Sequence, residues 1–188
     1  MSFDSLNDLT SSNNSSQINK SGPRIFVICL EAYRQGQLYG KWVRADQPLY
    51  KIQKEIKKMI LESPALGAEE FGVHASEGFG SVNVIGRESI KSIQRMATFI
   101  SEVGELGAEL LLYYGDVESA QEAWENHYHG SHENELEFAI NLFDQLYMDS
   151  IPEAAQGYID YASFKHDLFV DDYISMEVGG KVHIFSRD

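Results

Sequence analysis

Alternation and helical spacing divide the chain into a strand-bearing beginning, a helical middle and a mixed end. The run RIFVICL at 24–30 is continuously apolar and predicts a buried strand; LYGKWVR at 38–44 predicts a second. Leu49, Ile52, Ile56, Met59 and Ile60 then recur at helical spacing, with Lys51, Lys54, Lys57 and Lys58 on the wet side. Asp46 is placed to cap that helix, Pro48 to sit in its first turn and Ser63-Pro64 to stop it. EFGVHAS at 70–76 predicts a third strand, which completes a small α+β unit before a connection through Gly78, Gly80 and Gly86.

From Ser89 the period is helical. Ile90, Ile93, Met96, Ala97 and Ile100 form one stripe, and 110–114, 117–127 and 133–147 predict further helices. Ser150-Ile-Pro-Glu153 has the form of a capping box. A helix around 161–169 leads to strands at 173–178 and 181–186, joined by Gly179-Gly180, a tight hairpin signal. Residues 1–22 hold seven Ser and four Asn with few aliphatics, the composition of a flexible tail, so the ordered chain is expected to begin near Pro23.

Charge changes this picture. The 188 residues carry a formal net charge of −14, which favours basic partners and opposes contact with nucleic acid or anionic lipid. Residues 23–95 hold eleven bases and eight acids, whereas Met96 to Phe164 hold fourteen acids and no Lys or Arg. At 100° per residue, Glu118, Glu122 and Glu125 fall within about 60° of arc, opposite Val117, Ala120, Ala123 and Trp124. Glu133, Glu137 and Asp144 fall within about 40°, opposite Ala139, Leu142 and Leu146. Like charges at this spacing cost about 0.2–0.5 kcal/mol per pair, and no lysine relieves them. One reading is a solvated face that keeps the protein soluble; the other is a surface shaped for a cationic groove. Duplex DNA carries one charge per ~1.7 Å, so fourteen carboxylates match roughly 24 Å of duplex, about 7 base pairs.

Reactive chemistry is sparse. Cys29 lies inside an apolar run, where burial is expected to raise its pKa and keep it inert, and a lone thiol suits a reducing cytosol. No stretch approaches the ~18 apolar residues of a spanning helix, and no cationic, then apolar leader opens the chain, so a cytoplasmic location is expected. His127, His129 and His132, flanked by Glu125 and Glu133, could supply metal ligands, but no partner Cys or H-E-x-x-H pairing accompanies them; a polar helix–loop junction is expected instead, without metal or cofactor. His74 reads as a packed histidine in a strand. Gly78-Phe-Gly80 through Gly86 lacks the register of a phosphate loop. Neither Glu69-Glu70 nor Asp171-Asp172 is joined by a nucleophile or base, and no enzyme is expected. Tyr113, Tyr114, Tyr128, Tyr147, Tyr158, Tyr161 and Phe164 lack the basic neighbours that base stacking needs, so packing or a dimer contact suits them better.

Several runs taken together resemble the ArdA antirestriction family: RIFVICL at 24–30, LYGKW at 38–42, EEFGVH at 69–74 with EGF at 77–79, and Tyr158-Ile-Asp-Tyr161 through Val182-His-Ile-Phe185. Their order and spacing, more than any one piece, carry the likeness over about 23–186. The Ser/Asn-rich extension and the slightly basic first unit depart from the family pattern. The resemblance implies an α+β fold drawn out as a curved chain of three small units, and the element pattern puts their boundaries near 84 and 126: 23–83, α+β; 84–125, helical; 126–188, α+β. It implies a homodimer formed through the third unit that imitates bent B-form DNA. The implied partner is the methyltransferase core of a type I restriction–modification enzyme, its modification and specificity subunits, with restriction blocked, modification open to the same block, and no direct binding to nucleic acid. The acidic faces expected to act are Glu102, Glu105, Glu109, Asp116, Glu118, Glu122, Glu125, Glu133, Glu137 and Asp144. The family's antirestriction motif falls near 150–161, and Phe143, Tyr147, Ile151, Pro152, Tyr158 and Tyr161 are the expected dimer contacts. An acidic inhibitor of some other basic DNA-binding protein or nuclease stands as the competing reading.

Overall fold

The computed structural model describes residues 22–86 and 89–187; the tail expected over 1–22 lies almost wholly outside them. Its first sheet is antiparallel, in the order β2-β1-β3, from β1 (Arg24–Cys29), β2 (Gly40–Arg44) and β3 (Phe71–Glu77). Ile25, Val27 and Cys29 of the central strand are fully buried, as is Val43 of β2, and Ile52, Ile56 and Met59 of α2 (Leu49–Leu61) join the same core. The lysines of α2 are exposed as expected. The pairing of β1 with β3 shifts register between Phe26 and Val27, which leaves His74 as the extra residue of a bulge. His74 is exposed, with its ring against Phe26 and Tyr33.

Two local expectations fail here. Leu30 ends no strand; it starts a short helix, α1 (Leu30–Arg34). Asp46 does not cap α2, whose first flanking residue is Pro48, without a side-chain cap. Pro48 holds an extended ψ of 136°, so Asp46 stands too far upstream to reach the first turn. Its carboxylate instead takes the Arg44 guanidinium at 2.7 Å and the Ser101 hydroxyl at 3.1 Å, tying β2 to the middle helices.

Three helices follow: α3 (Ile90–Val103), α4 (Glu105–Tyr114) and α5 (Val117–Asn126). Ser89 caps α3 by accepting from the Ser92 amide, and Asp116 caps α5 by accepting from the Ser119 amide. Gly115 closes α4 in the left-handed region at φ 81°. Buried faces are Ile93, Ala97, Phe99 and Ile100 on α3, Leu106, Leu110 and Leu111 on α4, and Val117, Ala120 and Ala123 on α5.

The second sheet is antiparallel in the order β4-β6-β5, from β4 (Tyr128–His132), β5 (Tyr173–Val178) and β6 (Lys181–Ser186). The hairpin of β5 and β6 turns at Gly179-Gly180, both at positive φ, as the sequence predicts. The strand β4 replaces the expected polar junction. Between β4 and β5 run α6 (Glu135–Tyr147), a 3-10 turn (Met148–Ser150), α7 (Glu153–Gln156), α8 (Tyr161–Asp167) and a π-helical turn (Leu168–Asp172). The expected capping box is absent: α7 has Pro152 at its cap position, and Ser150 Oγ donates back to the Tyr147 carbonyl at 2.7 Å. Leu146, expected on the covered side of α6, is 57% exposed.

Phe185 and Ile184, neighbours on the central strand, are both fully buried and point to opposite faces of this sheet. The Phe185 face joins the helices through Trp124 stacked on Tyr128 at 4.7 Å, and the other faces Phe138 and Tyr173, whose rings lie 5.0 Å apart. One cluster of buried side chains therefore runs from Ile25 through α3–α5 to Ile174 and Phe185. Two antiparallel sheets with segregated helices make an α+β fold. Among the described residues, no helix is long and apolar enough to cross a membrane.

Candidate acidic interaction surface

The acids arise where helix geometry leaves no room inside. On α4, Leu106, Leu110 and Leu111 take the buried positions, so Glu105 and Glu109 face water; Glu102 does so on the last turn of α3. On α5, Glu118, Glu122 and Glu125 are exposed opposite Val117, Ala120 and Ala123. Asp116, Glu133, Glu137 and Asp144 are exposed as well. The same 100° arithmetic puts Leu112 and Tyr113 on the acidic face of α4, and they are 46% and 59% exposed. That face is thus apolar as well as acidic, which the charge pattern alone did not reveal.

Five of the ten acids are engaged within the chain. Cations from outside the Lys/Arg-free stretch fold back onto it: Arg95 pairs with Glu118, and Lys181 with Glu133. The Arg95 guanidinium holds the Glu118 carboxyl below its ordinary range. Glu133 also lies outside α6, so it does not share that helix's face as expected; its amide donates to Glu137 at 2.7 Å. Asp116 is held low by the Ser119 amide and hydroxyl. Asp144 accepts from the Tyr161 hydroxyl at 2.7 Å, which pushes the Tyr161 phenol up. Glu102, Glu105, Glu109, Glu122 and Glu125 have no ion-pair partner among the described residues. Two of the five lie on each of α4 and α5, consecutive helices that share the buried core.

A second surface is built on α6 and α8. Phe143 contacts Tyr147, Tyr161 and Phe164 at ring distances of 5.3, 5.4 and 5.0 Å. Between Ala139 and Leu168 no residue is buried, although the stretch contains this ring cluster. Tyr158 is 89% exposed, Tyr147 46%, and Pro152 is exposed beside a half-buried Ile151. Large apolar side chains left in water at this density are typical of a surface that meets a partner.

The histidines are dispersed over separate tasks. His127 Nδ1 lies 3.3 Å from Ser186 Oγ, the His129 ring meets Tyr173 edge-on, and His132 Nε2 lies 3.4 Å from the His129 carbonyl. Desolvation, with His127 nearby, pushes His129 below its ordinary pKa. Among the described residues no group of three or more His, Cys, Asp or Glu is arranged to hold a metal ion. Cys29 corrects one expectation. Its burial pushes the thiol up, but the Ser63 hydroxyl, which donates to Sγ at 3.3 Å, and the amides opening α1 outweigh that and leave it lowered. It remains sealed in the core.

A model of the ArdA family, described as antirestriction protein, matches residues 25–182, more than four fifths of the chain. The chain belongs to this family. A comparison with curated proteins gives no match. ArdA membership makes the chain an antirestriction protein, of a family that inhibits type I restriction enzymes. Its partner is accordingly a type I restriction–modification enzyme. The matched stretch includes every acid named above and the aromatic patch.

Proposed function

We propose that this ArdA-family chain inhibits by imitating duplex DNA, its carboxylates taking the place of phosphates in the groove of a type I restriction–modification enzyme. The observation that carries this reading is the set of exposed glutamates without ion pairs on α3, α4 and α5, within a stretch free of Lys and Arg. A groove that binds DNA keeps Lys and Arg poised for polyanions, and such a surface satisfies them while repelling DNA itself. The contact is with the methyltransferase core, its modification and specificity subunits. The ring cluster of α6 and α8, with Tyr158 beside it, is the surface through which two copies pair, doubling the length of the acidic track.

The test is competitive displacement. Purified chain, added to a type I methyltransferase bound to labelled DNA, should release the DNA at near-stoichiometric ratios, and binding should weaken steeply with salt. A partner built for 6–10 phosphate contacts loses roughly 10³–10⁵ in DNA affinity between 50 and 200 mM salt. DNA retained at severalfold excess of the chain, or an affinity flat with salt, rules the imitation out. Recovery of nucleases or nucleoid proteins in place of restriction subunits would favour an inhibitor of other basic proteins.

A further inference from the structure

Apolar ground also lies open beside the first sheet. A cavity of about 700 Å³ opens between α2, the edge strand β3 and the start of α3, a size typical of ligand sites. Ile56, Ile60, Phe71, Val73 and Ile90 line it, and Phe71 is 40% exposed. Lys57 and Lys91 stand at the same cavity with no ion-pair partner among the described residues, against the carboxylate of Glu69. In a chain of net charge −14, this hollow is apolar and lined with cations. Its fitting occupant is an acidic, amphipathic segment.

The chain carries one. Phe3, Leu6 and Leu9 recur at every third residue, with Asp4 and Asp8 among them, and residues 10–17, TSSNNSSQ, have neither an aliphatic, an aromatic nor a charged side chain. That is an anchor followed by a spacer. Gly22, where the described chain begins, lies beside Asp46 at the Arg24 end of the first sheet. The cavity is at the other end, where Phe71 pairs with Cys29, six residues or roughly 20 Å along the strand. Residues 10–21 span up to about 40 Å when extended, so the reach suffices.

We propose that Met1–Leu9 docks in this cavity, with Phe3, Leu6 and Leu9 against its apolar wall and Asp4 and Asp8 toward Lys57 and Lys91. Docking covers this cation-lined apolar hollow, which otherwise invites the acidic faces of a second copy. The inference goes beyond the inhibitory reading and does not depend on it.

Hydrogen–deuterium exchange on the full chain tests it without any restriction enzyme present. Leu6→Asp/Leu9→Asp should make amides over 69–73 and 89–91 exchange severalfold faster. Lys57→Glu/Lys91→Glu should do the same, and adding Asp4→Lys/Asp8→Lys to that variant should restore the protection. Identical exchange in the parent and the tail variant overturns the proposal. So does protection that fades on dilution, which assigns the cavity to a second copy, or a bound amphiphile found by native mass spectrometry.

Discussion

Asp46 illustrates how a single side chain is reassigned by its surroundings. Its position before Pro48 suggests a helix cap, yet the carboxylate serves Arg44 and Ser101 and so fastens the first sheet to α3. Partial burial pushes its pKa up, and the hydrogen bonds from Arg44 and Ser101 more than offset that, leaving it below the ordinary 3.8. A carboxyl depressed by folding contributes stability above its unfolded pKa and loses it as pH falls through the folded value. Asp46→Asn should therefore cost on the order of 1 kcal/mol near neutral pH, and the gap from the parent should close in acid. Urea melts over a pH series read this directly; a gap that widens toward acid contradicts it. The cap of α6 is a cleaner case, since Asn134 Oδ1 accepts from the Glu137 amide at 2.9 Å. Asn134→Ala should cost about 1 kcal/mol in the same measurement.

At the scale of elements, what the sequence discloses depends on where the stabilising partner lies. The β5–β6 hairpin is legible because its strands flank Gly179-Gly180, both in the positive-φ conformation that a tight turn needs. The strand β4 is not legible. YHGSH has no run of aliphatics, and its extended form comes from pairing with β6, Tyr128 opposite Phe185 and His132 opposite Val182. Nothing local announces a partner fifty or more residues away. Tyr128 secures the join: it stacks on Trp124, and its hydroxyl lies 2.8 Å from His183 Nδ1. Tyr128→Phe should cost about 1 kcal/mol in urea while leaving the far-ultraviolet dichroism unchanged. The acidic face of α5 could be read from spacing, because a helix carries its own periodicity; that of α4 could not, because its helix was expected only from Leu110 and begins at Glu105. Leu146 could not, because spacing identifies a side of α6 without saying how far along the helix its cover extends.

Over the whole molecule, the decisive quantity is how much of the acidic charge is left uncompensated. Arg95 and Lys181 reach into the acidic stretch from outside it and neutralise Glu118 and Glu133. If carboxylates act in place of phosphates, Arg95→Gln should tighten binding to the methyltransferase at low salt, an outcome opposite to that for any residue needed structurally. Glu109→Gln, Glu122→Gln and Glu125→Gln should each change inhibition little, and the triple variant should weaken displacement of DNA by well over tenfold. A collapse from one substitution would instead indicate a localised contact. Tyr147→Asp/Tyr158→Asp should halve the mass seen by light scattering if the ring cluster joins two copies. The unbroken run of buried side chains from Ile25 to Phe185 bears on how such an encounter proceeds. If the imitation holds, that shared core would make the inhibitor a template of fixed gauge, with the separation between its acidic helices settled before any enzyme is met. Little ordering entropy would then remain to be lost on that side, and conformational adjustment would fall to the enzyme.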